Sequence, residues 1–116
     1  MAADILVGVV ALLHAWFLVL EMFLWDTPTG HRVFRLDHEF ARRSKALAAN
    51  QGLYNGFLAA GLVWGLLLGA DGRPVKLFFL ACVVAAGAFG AVTVSKRIFW
   101  VQGAPAVAAL ALLLLQ

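Results

Sequence analysis

Four stretches, residues 5–25, 46–69, 75–95 and 98–115, are each about as long as a bilayer-crossing helix, and Glu21 and Lys76 are the only charged side chains within them. A hydrocarbon core of about 30 Å takes roughly 20 mainly apolar residues per helix. Lipid offers the backbone no hydrogen bonds, so a segment in it must satisfy its own, as a helix does. The expected fold is therefore all-α, a four-transmembrane-helix bundle. With 64% of the 116 residues hydrophobic and 13% charged, residues 1–116 are expected to form a single integral membrane domain. The first lysine or arginine is Arg32, and the first apolar run ends in Glu21 and Trp25, so that run reads as a retained helix rather than a cleaved signal. The single cysteine, Cys82, lies inside an apolar run and is expected as a small packing side chain.

The position of the charges matters more than their formal sum of +3. Arg32, Arg35, Arg42, Arg43 and Lys45 follow the first stretch, Arg73 and Lys76 follow the second, and Lys96 and Arg97 follow the third. In a four-span chain the first and third loops share a side, which gathers seven of the nine basic residues there. The excess of Lys and Arg in cytoplasmic loops then predicts a bacterial inner-membrane protein with both termini outside. Trp25, Phe99 and Trp100 fall near stretch ends, where interfacial aromatics are expected. Topology accounts for the basic surplus, so the lipid bilayer is the expected partner and no nucleic acid is.

The first loop opens on TPTG, a turn signal at residues 27–30, and continues as HRVFRLDHEFARRSK. Val33, Leu36 and Phe40 follow three- and four-residue spacing, which predicts a short amphipathic segment between the first two membrane helices. Arg42 and Arg43 would there contact an anion or lipid headgroups. Asp37 is placed to cap a helix that continues into the second stretch. The other loops, ADGRP at 70–74 and SKR at 95–97, are tight enough to make their flanking helices antiparallel neighbours.

His14 and Glu21 are seven residues apart, hence within about 20° on one helix face and roughly 10 Å apart along it. Ionisable groups inside a bilayer are costly, which makes them functional-site candidates. The second stretch opens NQGLYNG, in which Asn50 and Tyr54, and Gln51 and Asn55, form i,i+4 pairs. Gly61, Gly65 and Gly69 continue that polar arc, and Gly52 and Gly56 form a second small-residue face on the opposite side. Both glycine sets are expected to pack closely against helices of this chain or of a second copy. Since the first stretch runs inward and the second starts from the same side, Glu21 and the 50–55 cluster share a depth near the cytoplasmic face. Amides or the tyrosine hydroxyl could then donate to the carboxylate. Thr93, Ser95 and Gln102 read as structural, and Pro105 is expected to kink the fourth helix.

There is no CxxC, HExxH, P-loop, dinucleotide fingerprint or GxSxG, and the three histidines are dispersed, so no cofactor and no metal is expected. The strings HAWFLVLEMFLW (14–25), LAANQGLYNGFLAAGLVWG (47–65) and FWVQGAPA (99–106) resemble a family of small four-helix integral membrane proteins, the domain-of-unknown-function family numbered 1304. The resemblance covers nearly the whole chain and implies four helices. In layout the chain is also similar to the membrane-associated eicosanoid and glutathione metabolism proteins, four-helix homotrimers with a basic first loop. It has Gln51, Tyr54 and Asn55 where their motif has asparagine, glutamate and asparagine, and Arg42 and Arg43 stand for part of their glutathione-gripping arginines. That similarity implies a homo-oligomer, specifically a trimer.

Three functions follow as expectations. The first is a binding or permeation site for a small solute or proton, built from Glu21, Asn50, Gln51, Tyr54 and Asn55, with His14 deeper. The second is a membrane enzyme acting on a lipophilic substrate with an anionic, glutathione-like cosubstrate, in which Tyr54 or Glu21 does acid–base chemistry. The third is a structural or assembly subunit whose polar cluster is a helix clamp worth about 1 kcal/mol per bond.

Overall fold

The first apolar stretch folds as α1, Ala2–Met22, and stops before Trp25 because the amides of Phe23 and Leu24 both turn back onto the carbonyl of Val19, at 3.0 and 3.2 Å. The computed structural model describes residues 1–116 and is all-α, without a strand. After α1 the chain reverses through Thr27, whose hydroxyl donates to the Leu24 carbonyl (2.6 Å) and accepts from the Gly30 amide (3.4 Å). With Pro28 in the first turn, where a missing N–H costs nothing, this starts α2, Pro28–Phe34.

The expected amphipathic run through Val33, Leu36 and Phe40 is interrupted. Arg35 takes a left-handed conformation, φ 56° and ψ 48°, and the Leu36 amide bonds back to His31, so the helix ends there. Asp37 then caps α3, His38–Leu67, by accepting the Phe40 amide at 2.8 Å. Val33 and Phe40 thus belong to different helices.

α3 has 30 residues, about 45 Å of helix. It ends where Gly69 adopts φ +62°, a position that favours glycine. A 3₁₀ turn, Gly69–Gly72, leads to α4, Arg73–Thr93, again with a proline in the first turn. The last helix, α5, runs over Lys96–Leu114 from an N-cap at Ser95, whose hydroxyl accepts the Arg97 amide at 3.2 Å. Pro105 does not break it. Its missing N–H cannot reach back to Val101, and the turn before it widens into a π-helical turn, Phe99–Gly103, closed by the Ala104 amide on the Phe99 carbonyl.

Three segments are long and apolar enough to cross a membrane: Ala2–Met22, Gly69–Thr93 and Lys96–Leu114. α3 is the longest helix but is diluted by its charged start and by Asn50, Gln51, Tyr54 and Asn55.

The chain divides into two compact units, residues 14–57 and the remainder. In the unit of residues 1–13 and 58–116, a core of Ala3, Val7, Val10, Leu62, Leu80, Val83, Ala106, Ala109 and Leu113 joins α1, α3, α4 and α5. Small residues set the spacing. A methyl group on Gly61 would lie 2.4 Å from the Phe79 ring, and one on Gly65 2.6 Å from Cγ of Lys76. Gly69, expected among the packing glycines, meets no neighbour and serves the turn. At one end of this unit, Lys76 Nζ donates to Asp4 Oδ1 at 2.8 Å, and Arg73 Nη1 donates to the Leu113 carbonyl at 2.6 Å. In the unit of residues 14–57, the end of α1 packs on the first half of α3, with α2 in the connection.

Candidate functional site

Glu21 and Asn55 meet in the second unit because the helices that carry them come close. A methyl group on Gly52 would lie 2.7 Å from Cγ of Met22 and 3.2 Å from the Leu18 carbonyl, and one on Gly56 would lie 2.5 Å from Cδ1 of Leu18. Gly52 and Gly56, expected opposite the polar residues, share their buried face with Asn55. The Asn55 amide, Nδ2, donates to Glu21 Oε1. Both side chains are buried, Glu21 6% and Asn55 8% exposed, so the bond offsets much of the cost of removing them from water.

The other expected site residues are distributed differently. His14 is fully buried on the Glu21 side of α1, its ring edge-on to Phe17 at 5.2 Å. Gln51 is exposed but lies against the site. Asn50 and Tyr54 point away: both are exposed, and the Tyr54 ring stands edge-on to Phe57 at 5.6 Å. The physical reason is angular. At 100° per residue, Asn55 lies about 60° from Gly52 around α3 and Tyr54 about 160°. The tyrosine hydroxyl, expected as a possible donor to Glu21, is therefore on the wrong arc. Arg42 and Arg43 are exposed on the charged start of α3.

Beside the Glu21–Asn55 bond lies a shallow, open groove of about 240 Å³, lined by Glu21, Trp25, Phe40, Ser44, Leu47, Ala48 and Gln51. Its geometry is set by the reversal after α1. Gly30 passes so close to the Leu24 and Trp25 carbonyls that a side chain there would collide with both. The Trp25 ring packs on Phe34 at 4.8 Å, and its indole N–H donates to Ser44 Oγ at 2.9 Å. Ser44 in turn donates to the Phe40 carbonyl at 2.6 Å. Nearby, His31 Nε2 is 2.9 Å from Asp26 Oδ1, and the His31 and His38 rings stack at 4.4 Å.

The sequence reading missed Ser44 and Phe40 as groove residues. Their signal was spacing: Ser44 precedes Gln51 by seven residues, and Phe40 precedes Leu47 by seven. The wall is chemically mixed. It offers one carboxylate, a hydroxyl and an amide among aromatic and aliphatic surface, and no lysine or arginine lines it. No three His, Cys, Asp or Glu side chains converge as metal ligands would.

The profile of a family described as "Protein of unknown function (DUF1304)" matches residues 8–114. The chain is 32% identical over 103 residues to the uncharacterised protein YpaA of Lactococcus lactis subsp. lactis, covering 87% of each chain. No solved structure matches it.

Proposed function

The chain belongs to the DUF1304 family, and from that starting point we propose that it is a four-span inner-membrane protein that binds or conducts a small solute or proton at Glu21. The observation that carries the site is the buried Glu21 carboxylate, bonded to the neutral Asn55 amide while also forming part of an open groove. A carboxylate needed only for packing could be replaced at lower cost by an apolar residue.

The spanning role of α3 rests on the Asp4–Lys76 pair. It sets the starts of α1 and α4 side by side. If α1 crosses the bilayer, the chain must cross back before α4 can start beside it, and α3 is the helix available. Lipid contact is supported by outward apolar side chains: Ile5, Val9, Leu12 and Trp16 on α1 and Phe78, Phe89 and Val92 on α4 are all exposed. The basic-loop count then orients the termini outward and the site toward the cytoplasm.

Reconstituted liposomes test this reading. Proton or solute flux abolished by Glu21→Gln, with the melting temperature unchanged, is the expected result. If Glu21→Gln and Asn55→Ala lower stability and leave flux intact, the pair is a helix clamp. That second reading draws on the close packing of Gly52 and Gly56 beside it.

A further inference from the structure

Building on the reading of Glu21 as a ligand site, we propose that the groove takes a small lipophilic monocation, a quaternary or protonated amine with an aromatic or alkyl body. Charge complementarity selects the head group. Glu21 is the one ionisable side chain in the wall, and its bond to the Asn55 amide leaves the carboxylate without a cation from that partner. Arg42 and Arg43, exposed on the same helix, are absent from the lining.

The rest of the wall selects the body. Trp25 is held by two anchors, its hydrogen bond to Ser44 and its packing on Phe34, so its indole presents a fixed face. Phe40 adds a half-exposed ring. A cation near such rings gains from their quadrupoles, more so where it is partly desolvated. Leu47 supplies aliphatic surface for an alkyl or aryl tail. An anionic ligand would meet the carboxylate with no basic group in the wall to offset it, and a neutral sugar-like solute would find only Ser44 and Gln51 besides Glu21 to satisfy many hydroxyls. The groove is open, so entry requires no rearrangement of α1 or α3.

The test is calorimetric titration of the full chain in phosphatidylcholine nanodiscs with benzyltrimethylammonium and with the similarly sized anion phenylmethanesulfonate, against empty nanodiscs. Saturable binding of the cation alone is expected, weakened roughly tenfold or more by Glu21→Gln. Gln51→Arg, at an exposed position where folding should be preserved, brings a positive charge into the groove and is expected to weaken the cation at least as much. Equal binding of the anion, absence of saturable cation binding, or cation binding indifferent to both variants overturns the proposal. Flux in liposomes separates it from its premise. Flux that depends on Glu21 without cation binding rejects the ligand class alone, and flux and binding both independent of Glu21 reject the site itself.

Discussion

Lys76, with 6% of its surface exposed, reaches Asp4 across 2.8 Å and joins the first turn of α4 to the first turn of α1. Asp4 is half exposed, which moderates the strength of the pair. Asp4→Asn leaves a mostly buried ammonium without its carboxylate and is expected to cost about 1–2 kcal/mol. Lys76→Met removes the charge and keeps the stem that fills the space beside Gly65. The double variant is then expected to recover most of the loss. Thermal melts of the four proteins in detergent give the coupling.

The four-span arrangement makes a labelling pattern that a three-span arrangement does not. With Cys82 replaced by alanine, single cysteines at Asp71 and Gln116 are expected to react with an impermeant maleimide added outside intact cells. A cysteine at Ser95 or Arg32 should react only after permeabilisation. Outside labelling at Arg32 would contradict the proposed crossing of α3.

At the polar pair, the sign of the substitution matters more than its size. Asn55→Ala is expected to cost about 1–2 kcal/mol, because it leaves a buried carboxylate without its donor. Asn55→Asp sets two carboxylates against each other and is expected to cost more than alanine at neutral pH. Glu21→Gln keeps an amide-to-amide bond and should cost least. Denaturant titrations rank the three, and alanine ranking worst would argue for packing over charge.

Gly52 fixes how closely α1 and α3 approach. Its nearest neighbours include the Leu18 carbonyl, a backbone atom that cannot swing away. Gly52→Ala is expected to cost about 1–3 kcal/mol, and Gly52→Leu to separate the helices and release Asn55 from Glu21. Loss of Glu21-dependent flux in the leucine variant would register the release.

Arg35 holds a left-handed backbone that costs most side chains about 1 kcal/mol or more. Its side chain is exposed, so Arg35→Gly is expected to stabilise the chain by about 0.5–1 kcal/mol. A rise in melting temperature checks it, and a fall would mean the arginine contributes elsewhere.

Hydrophobic patterning made the helices and the shared burial of His14 and Glu21 legible, and the Asp37 cap followed from its place ahead of a helical pattern. Patterning also placed four polar residues at the start of the second stretch. It could not say which edge of their arc would meet α1, since that depends on where Gly52 lets a neighbour approach. Asn55 is near that edge, and Asn50 and Tyr54 are not. The break at Arg35 carries no glycine or proline to announce it. Asp4 and Lys76 were readable only as a pair, each being an isolated charge at the start of an apolar helix, and the count of loop charges absorbed Lys76 before its partner was sought.

The wide turn at Phe99–Gly103 acts as a phase shifter in α5. One residue beyond the α-helical count advances everything after it by about 100°. Upstream of the turn Ile98 meets Gly90, within it Gly103 lies against Gly87, and downstream Ala106, Ala109 and Leu113 enter the core. Those contacts are in register because the extra residue is there. Deleting any one of residues 99–102 would restore regular hydrogen bonding and rotate the C-terminal half off its partner, so at this turn chain length is under tighter constraint than residue identity.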